Sequence, residues 1–146
     1  MISFDTTRFG RLEVSKDKII NFPEGLIGFP DVKRFILLDY KDTLLKWLQA
    51  VDDPDIAFIV VPTYEFFPEY SLKVDKNARD ILKIENEDDI TFLVILRVEG
   101  ESVTANLQGP LVLNSLNRTG IQVVNDNPQF TIRAPLGSVP ESAAAK

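Results

Sequence analysis

Trp47-Leu48-Gln49-Ala50-Val51-Asp52-Asp53-Pro54-Asp55-Ile56-Ala57-Phe58-Ile59-Val60-Val61-Pro62 holds the only Trp of the chain and an acidic corner between two apolar runs. The run from Ile56 to Val61 is apolar at every position, short, and rich in branched residues. That pattern predicts a strand buried on both faces. Pro62 ends it, because proline brings no N–H to a central ladder. The corner Asp52-Asp53-Pro54-Asp55 has turn chemistry, since Asp favours the first position of a type I turn and Pro the second. The run from Leu44 to Val51 fits a strand or a helical turn, and strand, acidic turn, central strand is the reading adopted. The corner is also the first place to look for a binding surface.

Outward from that hairpin the chain reads as short strands separated by turn signals. Ile2 to Val14 fits a bent strand or hairpin, Ile19 to Phe22 a short strand, and Phe35 to Tyr40 another. Pro23-Glu24-Gly25-Leu26-Ile27-Gly28-Phe29-Pro30 suits neither a regular element nor a solvated loop. It predicts an apolar loop pinned onto the sheet, with the glycines supplying positive φ or close approach. Leu72 and Val74 alternate with polar residues. From Asp75 the period changes, and Ala78, Ile81 and Leu82 predict one helix over about 75–84 with Asp75 as N-cap. Ile90 to Val98, Val103 to Leu107, Leu111 to Asn114, Ile121 to Val124 and Phe130 to Arg133 complete the strands. The fold class expected is mainly β: an antiparallel pseudo-barrel of roughly eight to eleven short strands capped by one helix. An open barrel end would bury the helix's apolar face. Residues 1–135 are expected to form one domain, and 136–146 a flexible tail.

The 146 residues carry a net charge of −6, 45% hydrophobic and 26% charged residues, which fits a folded domain rather than a disordered chain. An acidic surface disfavours direct nucleic-acid or anionic-membrane binding and favours a basic protein partner. The chain has no Cys and no His. Thiolate chemistry, sulfur-bound zinc and a histidine general base are therefore excluded. No signal peptide or apolar span is legible, so the expected address is the cytoplasm. The acidic clusters lack the EF-hand pattern, so solvated turn residues are the simpler account and no metal or cofactor is expected. No spacing selects a catalytic carboxylate pair, and the protein is not expected to be an enzyme. Tyr64, Phe66, Phe67 and Tyr70 fit either a core-facing aromatic strand or an apolar groove for a partner helix.

Four blocks then carry a resemblance. They are Phe22-Pro23-Glu24-Gly25-Leu26-Ile27-Gly28-Phe29, Trp47 through Phe58, Asn106-Leu107-Gln108-Gly109-Pro110-Leu111-Val112-Leu113-Asn114, and Gly120-Ile121-Gln122-Val123-Val124. In this order and spacing the chain resembles the FliW family of flagellar assembly factors. Its motif positions here are Gly25, Gly28, Phe29, Trp47, Gln49, Pro54, Asn106, Pro110, Asn114, Gly120 and Gln122. Gly109 stands where the family often has Ala. The resemblance implies a β pseudo-barrel with a helical cap and no catalysis. It implies binding to CsrA, a dimeric RNA-binding translational repressor, which frees flagellin mRNA, and exchange of that partner for newly made flagellin. Asp52, Asp53 and Asp55 are the candidate contacts for basic CsrA. Phe66, Phe67 and Tyr70 are the candidate lining of a flagellin groove. A small barrel that binds a ligand or metal is the alternative.

Overall fold

The computed structural model describes residues 1–136. Strands β1 (Ile2–Thr6) and β2 (Gly10–Val14) form a separate antiparallel hairpin. Next come β3 (Ile20–Asn21), β4 (Arg34–Asp39), β5 (Lys46–Ala50) and β6 (Ala57–Pro62). A single helical turn, α1 (Thr63–Phe66), and the main helix α2 (Lys76–Leu82) precede β7 (Ile90–Glu99). Then β8 (Ser102–Ala105), β9 (Leu111–Asn114), β10 (Thr119–Gln122) and the short β11 (Ala134–Pro135) follow.

Strands β7, β6, β5, β4, β3, β10 and β9 pair in that order, and β9 pairs back onto β7. The result is a closed seven-stranded barrel. All its pairings are antiparallel except the seam between β10 and β3, where Thr119 lies beside Asn21. The expected mainly-β barrel is therefore what forms.

Alternation along the strands puts Ile20, Phe35, Leu48, Ala50, Val60, Leu93, Leu111 and Leu113 into one buried interior cluster. Gly120 lies among them. A Cβ there would stand 2.6 Å from Leu113 Cδ2 and 2.7 Å from two ring carbons of Phe22, so glycine is what lets these side chains meet.

The outer faces are covered too. The β1–β2 hairpin lays Phe4 over Ile36 and Val51. Phe130, Ala134 and Leu136 cover Val61, Val94 and Leu96. Helix α2 lays Ala78 and Leu82 over Val112 and Ile121. Its cover is thus lateral, on the outside of β9 and β10, and the helix does not sit over an open end. Its N-cap is Asp75, whose Oδ1 accepts from the Ala78 amide at 2.9 Å.

Three local expectations need correction. Only Val60 and Val61 of the run Ile56–Val61 are fully buried, while Ile56 to Ile59 are half-buried. The hairpin's outer face is only partly covered at that end. The aromatic stretch opens as α1 and not as a strand, with the Phe67 amide donating to Thr63 O at 2.7 Å. Phe130 to Arg133 is a turn, and the strand that pairs with β8 is β11 instead. Of the expected tail, Leu136 is buried and its amide donates to Val103 O at 3.1 Å. Residues 137–146 lie outside the described residues.

Candidate functional site

The acidic corner joins β5 to β6 at one end of the barrel. Ala50 N donates to Ile56 O at 2.9 Å, and the Asp55 amide donates to Asp53 Oδ1 at 3.0 Å. Asp53 is therefore a turn-former, as its residue type predicts. Asp52 holds Arg34 of the neighbouring strand in a two-pronged pair, 2.9 Å from Nε and 2.5 Å from a terminal nitrogen. The Arg34 hydrogen bond holds the Asp52 carboxyl below the usual carboxylate range, and the same bond raises the guanidinium. Both side chains are about half exposed, so solvent screening keeps this pair to roughly 0–1 kcal/mol. Asp55 accepts a hydrogen bond from the Thr7 hydroxyl, and the Thr7 amide donates to Pro54 O at 2.9 Å. The turn of the β1–β2 hairpin thus braces the corner from outside.

Gln49 braces it from within. Its side chain is fully buried, and Nε2 donates to Ala50 O at 3.0 Å and Ile56 O at 3.2 Å. Two carbonyl acceptors fix which way the amide points. Its Oε1 has no protein partner among the described residues. Beside it lies a recess of about 200 Å³ lined by Thr7, Arg8, Pro54 and Asp55. Arg8 reaches over the Trp47 ring, 4.2 Å from its centroid, and Phe9 and Tyr40 meet the same ring edge-on. Trp47 anchors the hairpin turn to the barrel wall by packing and a cation–π contact.

The other motif blocks converge on the same end. Gly25 and Gly28 have φ of +67° and +91°, and Leu26 and Phe29 pair across the tight loop between them. The Ile27 amide donates to Gln122 Oε1 at 2.8 Å, and Gln122 Nε2 donates to Gly109 O at 2.9 Å. Asn106 Oδ1 accepts from the amides of Gln108 and Gly109, which shapes the turn into Pro110. Gln122 therefore ties the apolar loop to the Asn106–Pro110 turn, as the pinned-loop expectation requires. Phe29 stacks edge-on against Phe58 at 5.7 Å, and Ile27 is exposed.

Asn114 stands apart. It is buried, and Nδ2 donates to Leu82 O at 2.9 Å, where Asn117 Nδ2 donates as well. These amides satisfy a carbonyl left open by the end of α2, next to Lys83 at φ +55°. Asn114→Ala should cost about 1–3 kcal/mol in urea denaturation while Asn117→Ala costs less, because Asn114 is buried and also accepts from the Leu116 amide, whereas Asn117 is exposed to water that can replace it.

The aromatic candidates Phe66, Phe67 and Tyr70 are half-buried against Val61, Leu96 and Phe130. Tyr70 donates its hydroxyl to Leu107 O at 2.7 Å, and burial raises its phenol. They are chiefly wall packing with exposed edges, and the structure does not bring them to the acidic corner's contacts. What the sequence reading missed was Arg34, Thr7 and Arg8, which reach the corner only through strand register. The signal for Gln49's bracing role was a lone amide within an apolar strand.

Among the described residues no three Asp or Glu side chains gather as a metal-holding group, and no helix is long and apolar enough to cross a membrane.

The FliW protein family model matches residues 3–136. The chain belongs to the FliW family. The flagellar assembly factor FliW of Magnetococcus marinus is 39% identical over 140 residues, spanning 93% of this chain and 84% of that one. That of Caldanaerobacter subterraneus subsp. tengcongensis is 32% identical, spanning 92% and 93%. A crystal structure of the flagellar assembly factor FliW superposes with a TM-score of 0.87 at 32% identity, covering 94% of this chain and 98% of that one. The family is one of flagellar assembly factors. Eight of the FliW motif positions singled out above meet at the corner end of the barrel, and Trp47 stands on the wall beside them.

Proposed function

We propose that this protein is a non-catalytic partner switch of flagellar assembly in the cytoplasm, holding the repressor CsrA in one state and flagellin in the other. The observation that carries the reading is the exposed acidic corner on a braced hairpin, in a family member with net charge −6. An RNA-binding repressor needs basic surface, and a fixed acidic patch complements it with little ordering cost on binding. Asp52 is already neutralised by Arg34. Asp53 and Asp55 have no ion-pair partner among the described residues, so they are the stronger contacts. The exposed edges of Phe66, Phe67 and Tyr70 are the surface offered to a flagellin helix. Neither partner requires nucleic acid or membrane to be touched directly.

Two measurements test this. In a pull-down of the purified protein with CsrA and flagellin, alone and together, each should displace the other, and a stable three-way complex would contradict the switch. The double variant Asp53→Lys with Asp55→Lys should weaken CsrA at least about tenfold, within the range of a charge reversal at an interface. Unchanged affinity in a folded variant would remove the corner from the CsrA surface. Each reversal also breaks a bond within the corner, Asp52 to Arg34, Asp53 to the Asp55 amide and Asp55 to Thr7. The milder pair Asp53→Asn with Asp55→Asn keeps the last two acceptors and should show the same direction of change.

A further inference from the structure

Among the described residues, the end of the barrel opposite the acidic corner carries a recess. A cavity of about 210 Å³ lies there, and every strand from β3 to β7 contributes to it, as does β9. Ile20, Leu37, Lys46, Pro62, Leu93 and Leu113 each come from a different strand. The cavity is therefore the mouth of the barrel interior rather than a crease between surface loops. Barrel mouths are a common place for small-molecule sites. The walls are aliphatic, and the rim is not.

Two cations stand at that rim. Lys46 shares a strand face with Leu48 and Ala50, which point into the barrel core, and its Nζ donates to Asp39 Oδ1 at 2.7 Å. That pair is close to neutral as a unit. Arg118 lines the cavity from the β9–β10 turn and has no ion-pair partner among the described residues. It also has φ +56°, a left-handed conformation that favours glycine or asparagine. Its amide donates to Asn114 O at 2.9 Å, and its carbonyl accepts from the Asn21 amide at 2.9 Å, so the backbone there is held on both sides. On α1, Tyr64 extends the same rim and is 67% exposed.

We propose that the barrel mouth binds an apolar group carrying one carboxylate, with the group in the aliphatic cavity and the carboxylate on Arg118. The charge argues for a monoanion, since Arg118 has no ion-pair partner among the described residues and Lys46 is already shared with Asp39. The size argues for a short alkyl chain or a single ring, because an aliphatic cavity of about 150 Å³ accommodates benzene. A small free acid and the terminal residue of a peptide both present this chemistry. The site lies at the other end of the barrel from the acidic corner and does not rest on the partner-switch reading.

The test uses the full chain labelled with ¹⁵N and titrated with hexanoate, hexan-1-ol and hexylamine. Hexanoate should move the amides of Ile20, Leu113 and Thr119 and bind at least tenfold more tightly than the alcohol, with the amine weakest. Arg118→Gly suits the left-handed backbone and removes the cation, so it should keep the melting temperature and bring hexanoate down to the alcohol's affinity. Arg118→Lys should retain most of the binding. A Gly-Gly-Leu peptide with a free terminus, compared with its amide, separates the two sources. A preference for the free-terminus peptide over hexanoate points to a chain end, and the reverse points to a free acid. Equal binding of acid and alcohol, shifts confined to other regions, or an Arg118→Gly variant that binds as before would overturn the proposal.

Discussion

Gly120→Ala should lower stability by roughly 3 kcal/mol, read as a fall of roughly 10 °C in melting temperature for a chain of this size. Gly120 is not in a left-handed conformation, so the effect is steric alone. The added methyl would stand 2.6–2.7 Å from Leu113 Cδ2 and the Phe22 ring. Phe22 is fully buried and meets Phe35 edge-on at 5.4 Å, so its ring has no free direction in which to retreat. Phe22→Leu in the same chain should recover part of the loss, because it removes the atoms that clash while leaving an apolar side chain. That non-additivity is the signature of direct contact. A single variant that melts within about 2 °C of the parent would mean that the Phe22 ring does not pack on the strand at residue 120.

Gly25→Ala should be of similar size for a different reason. Here φ is +67°, and the new Cβ would approach Phe29 O at 2.4 Å and Pro30 O at 2.6 Å. These are backbone atoms next to a proline and cannot swing aside. Left-handed strain of about 1–2 kcal/mol adds to overpacking of about 1–3 kcal/mol, giving a loss of roughly 2–5 kcal/mol unless the loop opens. If it opens, the cost falls on Leu26, which is buried, and on the Ile27–Gln122 hydrogen bond. Hydrogen exchange separates the outcomes. A fast-exchanging Ile27 amide with a moderate fall in melting temperature means local opening, and a uniform loss of protection means global destabilisation. Gly28→Ala is the control, because it carries positive φ with open space around the added methyl.

The legibility of the fold varied with how local the determining physics was. The β5–β6 hairpin could be read because turn chemistry and apolar runs adjoin in sequence. The same holds for the Asp75 cap, where one side chain meets an amide three residues on. Positive φ at Gly25 followed from two glycines between prolines. The turn at Tyr64 could not be read, because an aromatic run interrupted by proline has the composition of a strand, and Thr63 O decides the matter by accepting from Phe67. The lateral seat of α2 was hidden as well. It depends on which outer wall of the barrel is left bare, and that follows from closure.

The site follows the same rule. That the acidic corner is exposed and built on a turn was legible. That Arg34 takes up Asp52 was not, because those residues meet only when β4 and β5 pair with Phe35 beside Ala50. Thr7 and Arg8 arrive from a hairpin that no local pattern connects to the corner.

The seam between β3 and β10 has a consequence for timing. Asn21 emerges early in synthesis and waits for Thr119, its partner across the seam. Until that late segment has left the ribosome, the interior has no closed wall and the Ile27 amide has no Gln122 to hold it. Long-range pairings of this kind form late and slowly. The growing chain therefore lacks this closed wall until the segment from Thr119 to Gln122 is made, and then gains the seam and the Gln122 tie together. A copy truncated before Thr119 lacks both the β3–β10 seam and the Gln122 tie, so its barrel wall cannot close.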